Sequence, residues 1–142
     1  MTTENRATEI TEHTEGSSSD LDRDPLTERI IGCAIEVHRH LGPGLFEGIY
    51  EAALCVELEL AGLRSDRQLA VPIAYKGRPV GDYRLDLIVE RQVIVEVKCV
   101  ERHDPVFDAQ LLTYLRAAGC RRGLLINFNS RLLVGGIKRF VL

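Results

Sequence analysis

Val93-Ile94-Val95-Glu96-Val97-Lys98-Cys99 carries two charges inside a run otherwise suited to a buried strand. Its β-branched residues favour the pleated, half-buried surface of a sheet. Alternation sends Val93, Val95, Val97 and Cys99 to one face and Ile94, Glu96 and Lys98 to the other. The first face is all core, while the second runs from apolar to acid to base. Taking a carboxylate and an ammonium out of water costs several kcal/mol each unless neighbours compensate. The reading of the chain therefore turns on what its other segments bring to that second face.

Immediately upstream, a strand is predicted over Val80–Glu90, with Pro79 just ahead of it as a strand start allows. It contains Tyr83-Arg84-Leu85-Asp86-Leu87-Ile88-Val89, in which Asp86 is a second acid among aliphatics. Arg91-Gln92 is short enough to make the two strands an antiparallel hairpin. Asp86 and Glu96 then stand five and four residues from the bend, so a suitable register brings them to one level of the sheet. Two facing carboxylates repel unless a cation lies between them. A further strand, Leu69–Tyr75, joins Val80–Glu90 through a turn at Lys76-Gly77.

Downstream, Asp104-Pro105 is an N-cap followed by proline in the first turn, opening a helix that stops at Gly119. Leu111, Leu112 and Leu115 pack it, and Gln110 and Tyr114, four apart, share a face. His103 precedes the cap and reads as a solvated loop residue. Gly123-Leu124-Leu125-Ile126-Asn127-Phe128 is a strand reached by a helical crossover, hence parallel to its neighbour. Asn129-Ser130 turns the chain, and Gly136–Val141 forms a closing strand.

Toward the N-terminus, Asp24-Pro25 repeats the capping signal. Leu26, Ile30, Ile31, Ala34, Val37 and Leu41 recur at helical spacing, and Gly42-Pro43-Gly44 ends that helix. His38 and His40 in its last turn are better explained by the helix dipole than by metal ligation. A second helix is predicted from Phe46 to Ala61, stopping at Gly62, with an apolar stripe of Ile49, Ala53, Leu54, Val56 and Leu60. Glu47, Tyr50 and Leu54 share a face, so Glu47 lies beside an aromatic expected to be at least half buried. On its own, an acid in a first turn is accounted for by the helix dipole.

The 142 residues suit one domain at 25–142 behind an acidic tail, residues 1–24, too poor in apolar side chains to be expected to order. The tail holds seven acids against Arg6 and Arg23, a balance of −5, so the formal net charge of −3 leaves +2 on the domain. A mildly basic body permits a phosphate-bearing partner without arguing for one. No apolar run approaches the roughly 20 residues of a membrane span, no secretory signal is expected, and a cytoplasmic location is the default. Cys33, Cys55, Cys99 and Cys120 lack any C-x-x-C pairing and read as reduced structural thiols.

The chemistry that suits Asp86 and Glu96 is divalent metal binding. Mg²⁺ takes one or two carboxylates together with waters and phosphate oxygens, and Lys98 on the same face can orient a nucleophile and stabilise negative charge. Against this stands a solvent-facing Glu96–Lys98 ion pair of little consequence. D-x(9)-E-x-K is by itself a short pattern.

Longer motifs narrow the choice. Gly44-Leu45-Phe46-Glu47-Gly48-Ile49-Tyr50 is G-x-x-E-x-x-Y, preceded by His38-Arg39-His40-Leu41-Gly42-Pro43 and followed by Glu51-Ala52-Ala53-Leu54. With Tyr83-Arg84-Leu85-Asp86, Val95-Glu96-Val97-Lys98, Ala109-Gln110-Leu111-Leu112-Thr113-Tyr114-Leu115 and Gly123–Phe128, the chain from 26 to 142 strongly resembles the bacterial GxxExxY proteins, grouped with the PD-(D/E)xK nucleases. The resemblance implies an α/β fold with a restriction-endonuclease-like core: a mixed central β-sheet flanked by helices in α-α-β-β-β-α-β-β order. It implies a Mg²⁺- or Mn²⁺-dependent phosphodiesterase on nucleic acid, DNA or RNA. Asp86 and Glu96 match the metal-binding acids, Lys98 the superfamily lysine and Glu47 a supporting acid. Gln110 and Tyr114 match a substrate-positioning Q-x-x-x-Y motif. Leu85 stands where many members have proline, and Pro105-Val106-Phe107 lacks the histidine often found there. The rival expectation is a catalytically inactive interaction module whose acids form a structural polar network, and hydrolysis of a small phosphate compound is a third. No membrane partner is expected, and the long strands leave room for a homodimer.

Overall fold

A computed structural model describes the backbone of residues 11–13 and the chain from 23 to 142. Helix α1 (Pro25–Leu41) and helix α2 (Glu47–Leu60) are followed by β2 (Ser65–Tyr75), β3 (Arg78–Val89) and β4 (Val93–Lys98), then α3 (Pro105–Ala118), β5 (Arg122–Asn127), a 3-10 turn (Leu133–Gly136) and β6 (Ile137–Val141). A short strand β1 (Thr11–His13) precedes them and pairs antiparallel with β6. The sheet order is β1-β6-β5-β4-β3-β2, with β4 and β5 parallel and the other neighbours antiparallel. The expected α/β architecture and element order thus hold from residue 25 onward. The expected tail at 1–24 lies outside the described residues except for β1 and the two residues before α1, and β1 is ordered strand where an unstructured tail was anticipated.

The capping residues act as their chemistry dictates. Asp24 accepts from the Thr27 N–H at 3.0 Å and Asp104 from the Val106 N–H at 3.0 Å, each satisfying a donor that a helix start leaves free. Gly119 ends α3 in the left-handed region that a side chain resists.

The alternation in β4 sorts the core into two layers. Val93, Val95 and Val97 pack with α1 and α2, while Ile94 packs with Leu111, Leu112 and Leu115 of α3. The stripe expected on α2 is corrected. Tyr50, Leu54 and Leu58 are fully buried, whereas Val56 and Leu60 are 55% and 75% exposed. Apolar residues occupy nearly every face of α2, so periodicity alone could not select the packing side. The aromatic at position 50 selects it, because Tyr50 stacks on Phe128 with ring centroids 4.5 Å apart.

Tyr50 also anchors the chain entering α2. Its hydroxyl donates to the Gly42 carbonyl and accepts from the Leu45 N–H at 3.2 Å. The tyrosine of G-x-x-E-x-x-Y therefore clamps the loop from which Glu47 emerges. Tyr50→Phe leaves both backbone groups without their partner and is expected to lower stability by about 1–2 kcal/mol. Urea unfolding with an unchanged denaturant slope is the measurement, and no loss of stability would discard the clamp.

Candidate active site

The β3–β4 register pairs Val89 with Val93, Ile88 with Ile94 and Leu87 with Val95, so Asp86 falls opposite Glu96, as the hairpin spacing predicts. At that level side chains replace the ladder. Glu96 Oε2 accepts from the Asp86 N–H at 3.1 Å, and Asp86 Oδ2 accepts from the Val97 N–H at 2.8 Å. Each acid is thus held by the other strand's backbone through one oxygen, and the two carboxyls also meet each other across the strands.

The sheet is irregular here, and the irregularity matters. Leu85 packs on the α3 side while Leu87, two residues on, packs on the α1–α2 side, against simple alternation. Across from Asp86, Gln68 on β2 has φ +56. Asp86 consequently senses α2 acids from one layer and the Glu96–Lys98 side from the other.

Glu96 is buried and Asp86 partly so, and both carboxyls are displaced upward. Burial is the largest cause for Asp86, pushed up to about 6, with Glu51 and Glu47 adding to it and the Val97 N–H and Lys98 opposing. For Glu96, pushed up to about 8, burial leads and the Asp86 charge follows, against the Asp86 N–H and Lys98. Two acids in one desolvated place favour shared protons or a cation.

Lys98 follows Glu96 on the same face. Its ammonium rests 4.4 Å from the centre of the Phe107 ring, and no ion pair ties it to either acid among the described residues. The lysine forms part of the wall of a cleft of about 380 Å³ together with His103, Phe107, Asn127, Ser130 and Lys138. Neither acid lines that cleft, while Lys98, two residues after Glu96, does.

The remaining candidates divide. Tyr114 is half-buried with its ring 4.8 Å from Tyr83, and burial followed by the charges of Glu96 and Asp86 raises its hydroxyl. It therefore belongs to the acid neighbourhood. Gln110, one turn earlier on α3, is exposed. Glu47, half-buried at the start of α2, acts on Asp86 and Cys99 through its charge. Among the described residues no three His, Cys, Asp or Glu side chains are grouped as around an ion, so Glu47 does not join Asp86 and Glu96 in a preassembled set of three.

Glu51 escaped the sequence reading. It is 5% exposed, accepts from Arg67 Nε and Gln68 Nε2 at 3.0 Å each, and adds its charge to those that raise Asp86. The available signal was its position one turn after Glu47 on a face shared with buried residues. The histidines make further contacts that the sequence did not specify. His38 is buried and its Nε2 lies 2.8 Å from the Ser130 carbonyl, tying α1 to the loop after β5. His103 is an exposed loop residue, as expected, whose Nε2 also sits 3.0 Å from Asp108 Oδ1 and whose ring meets Phe107 edge-on.

The donor set fits a hard divalent cation. Two carboxyls on adjacent strands, meeting each other and both displaced toward protonation, offer the oxygen ligands that Mg²⁺ and Mn²⁺ take in place of a shared proton. Asp86 and Glu96 are the residues that would hold it.

No helix among the described residues is long and apolar enough to cross a membrane. No curated protein and no solved structure matches the chain. A family model described as the PD-(D/E)XK nuclease superfamily matches residues 24–140, a span that runs from α1 into β6 and includes every candidate named above. On that match, over most of its length, the chain belongs to the PD-(D/E)XK nuclease superfamily.

Proposed function

We propose that the protein is a metal-dependent nuclease that hydrolyses phosphodiester bonds of nucleic acid, with Asp86 and Glu96 holding Mg²⁺ or Mn²⁺. The observation that carries this reading is the acid pair of buried Glu96 and partly buried Asp86, each held by the other strand's backbone and both displaced toward protonation, with a lysine two residues after Glu96. When bound, the cation supplies Lewis-acid polarisation of a phosphate oxygen. Lys98, its ammonium held at the cleft wall by Phe107, positions the attacking water and stabilises the charge that develops on phosphorus-bound oxygens. Tyr114 orients the substrate beside the acids, and Gln110, one turn before it, reaches substrate from the exposed side of α3. Glu47, set by the Tyr50 clamp, supports the site from α2. The G-x-x-E-x-x-Y motif that encodes this clamp supports kinship with the GxxExxY branch.

Calorimetric titration of Mn²⁺ or Mg²⁺ into the full chain tests the reading, wild type against Asp86→Asn, beside a cleavage panel of single- and double-stranded DNA and RNA. Binding is expected to release protons near neutral pH, because Glu96 is pushed up to about 8, and Asp86→Asn is expected to lose both the heat and the cleavage. A wild type that binds neither ion and cleaves nothing would instead favour an inactive interaction module.

A further inference from the structure

β2 and β3 pair along almost their whole length, from Ser65 with Val89 to Tyr75 with Arg78. β4 accompanies β3 only from Leu87 to Val89. The remainder of the hairpin therefore projects as a two-stranded arm beyond the sheet. Its base is fixed, since Val71 and Leu85 are buried in the α3 layer and Tyr83 packs on Tyr114. Its end, 74–82, is exposed throughout.

Three features of that end call for a partner. Tyr75 and Val80 are each 62% exposed, and the Lys76 ammonium lies 5.4 Å from the Tyr75 ring. Lys76 and Arg78 have no acidic partner among the described residues, and Asp82 is the arm end's one acid. Lys76 and Gly77 both have positive φ, +50 and +78, the two-residue turn in which Asn-Gly is the least strained pair. A lysine at the first of these positions carries a conformational cost, and its ammonium meets only the exposed Tyr75 ring.

A second copy of the chain is a poor occupant. Pro72 on β2 and Pro79 on β3 each remove a backbone donor from an outer edge, which opposes strand addition, and two tips of like charge repel. We propose that this arm lies along the phosphodiester backbone of a nucleic acid, with Lys76 and Arg78 on phosphates and Tyr75 against a base or sugar. The inference rests on the nuclease reading and extends it to how substrate is held. The strand that forms the arm continues directly into Asp86. Eight residues separate Arg78 from Asp86, about 27 Å at roughly 3.4 Å per residue. On a B-form duplex, at about 3.4 Å per nucleotide along one strand, the tip would engage substrate about eight nucleotides from the scissile bond.

The test uses Lys76→Asn with Arg78→Gln, which removes both charges and puts a favoured residue in the turn. Anisotropy of labelled 24-mers (single-stranded DNA, duplex DNA, duplex RNA) is measured in EDTA across 25–200 mM salt, and thermal melting is recorded in parallel. The double variant is expected to melt no lower than wild type and to bind at least about tenfold more weakly at low salt. Its plot of log affinity against log salt should be shallower by about 2, at about 0.9 for each phosphate that is no longer neutralised. Whichever 24-mer shows the change identifies the substrate class. Equal affinity and slope in a wild type that binds and cleaves would overturn the arm alone. Wild-type failure to bind or cleave any nucleic acid would remove the nuclease reading and the arm with it. A variant that binds normally but shifts a monomer–dimer equilibrium in sedimentation would make the arm a self-association surface and overturn the proposal.

Discussion

Lys98→Met is expected to reduce kcat for nucleic-acid cleavage by about 10³-fold, while melting temperature and Mn²⁺ affinity stay near wild type. The methionine keeps the stem that packs along β4 and loses only the ammonium at the cleft wall. That ammonium is not consumed by an ion pair with either acid among the described residues, and its position over Phe107 leaves its N–H donors available to substrate and water. Removing one donor aimed at developing negative charge typically costs about 10²–10³ in kcat, and loss of water positioning adds to it. Lys98→Arg is not expected to rescue, because a planar fork cannot reproduce a compact point charge over the ring. Phe107→Leu, which removes only the ring beneath the ammonium, should lower kcat about tenfold and leave Mn²⁺ affinity intact. Single-turnover cleavage beside Mn²⁺ titration reads all three. Lys98→Met activity within a few-fold of wild type would take Lys98 out of the chemistry.

How far the site can be read in advance follows from which interactions are local. Asp86 and Glu96 are matched by counting from a tight turn, because a hairpin fixes register over a few residues. The face carrying Glu96 and Lys98 is legible because the period of a strand is two, and the parallel β4–β5 pair because a helix must lie between parallel neighbours. Glu51 is hidden because its burial depends on Arg67 and Gln68, donors from β2 that start before the alternating stretch Leu69–Tyr75. The break in alternation at Asp86, with Leu85 and Leu87 on opposite layers, is hidden for a related reason. It arises where β3 leaves β4 and continues with β2 alone, a tertiary event with no local signature. The α2 stripe fails because a helix apolar on most sides leaves its neighbours to choose the packing face. Phe128, 78 residues beyond Tyr50, makes that choice.

Metal-free protein is expected to lose stability as pH rises from about 4 to about 8, and Glu96→Gln should remove most of that loss. A carboxyl whose folded pKa lies above its unfolded value binds its proton more tightly in the native state. Unfolding then becomes easier as pH climbs through the interval between the two values. For Asp86 that interval runs from 3.8 to about 6, and for Glu96 from 4.5 to about 8, with burial the leading cause in both. The contribution is fully present below the unfolded values and is lost above the folded ones, opposite in sign to a carboxylate held by a cation. Glutamine keeps an oxygen for the Asp86 N–H and turns an amide donor toward the Asp86 carboxylate, so the hydrogen bonding survives while one charge disappears. At about 1.4 kcal/mol per pK unit, and allowing for protons shared across the pair, the variant should gain on the order of 3 kcal/mol over wild type at pH 8.5. That amounts to roughly 10 °C in melting temperature at about 3 °C per kcal/mol. The two proteins should converge near pH 4. Adding Mn²⁺ at pH 8.5 should restore the wild type and leave Glu96→Gln nearly unmoved, because a cation relieves the repulsion that a proton relieved at lower pH and the variant has lost one of its two acids. Melting curves from pH 4 to 9 with and without Mn²⁺ decide the matter. A metal-free wild type that grows steadily more stable up to pH 8.5 would mean that these acids ionise without penalty, and the case for a cation between them would lose its physical basis.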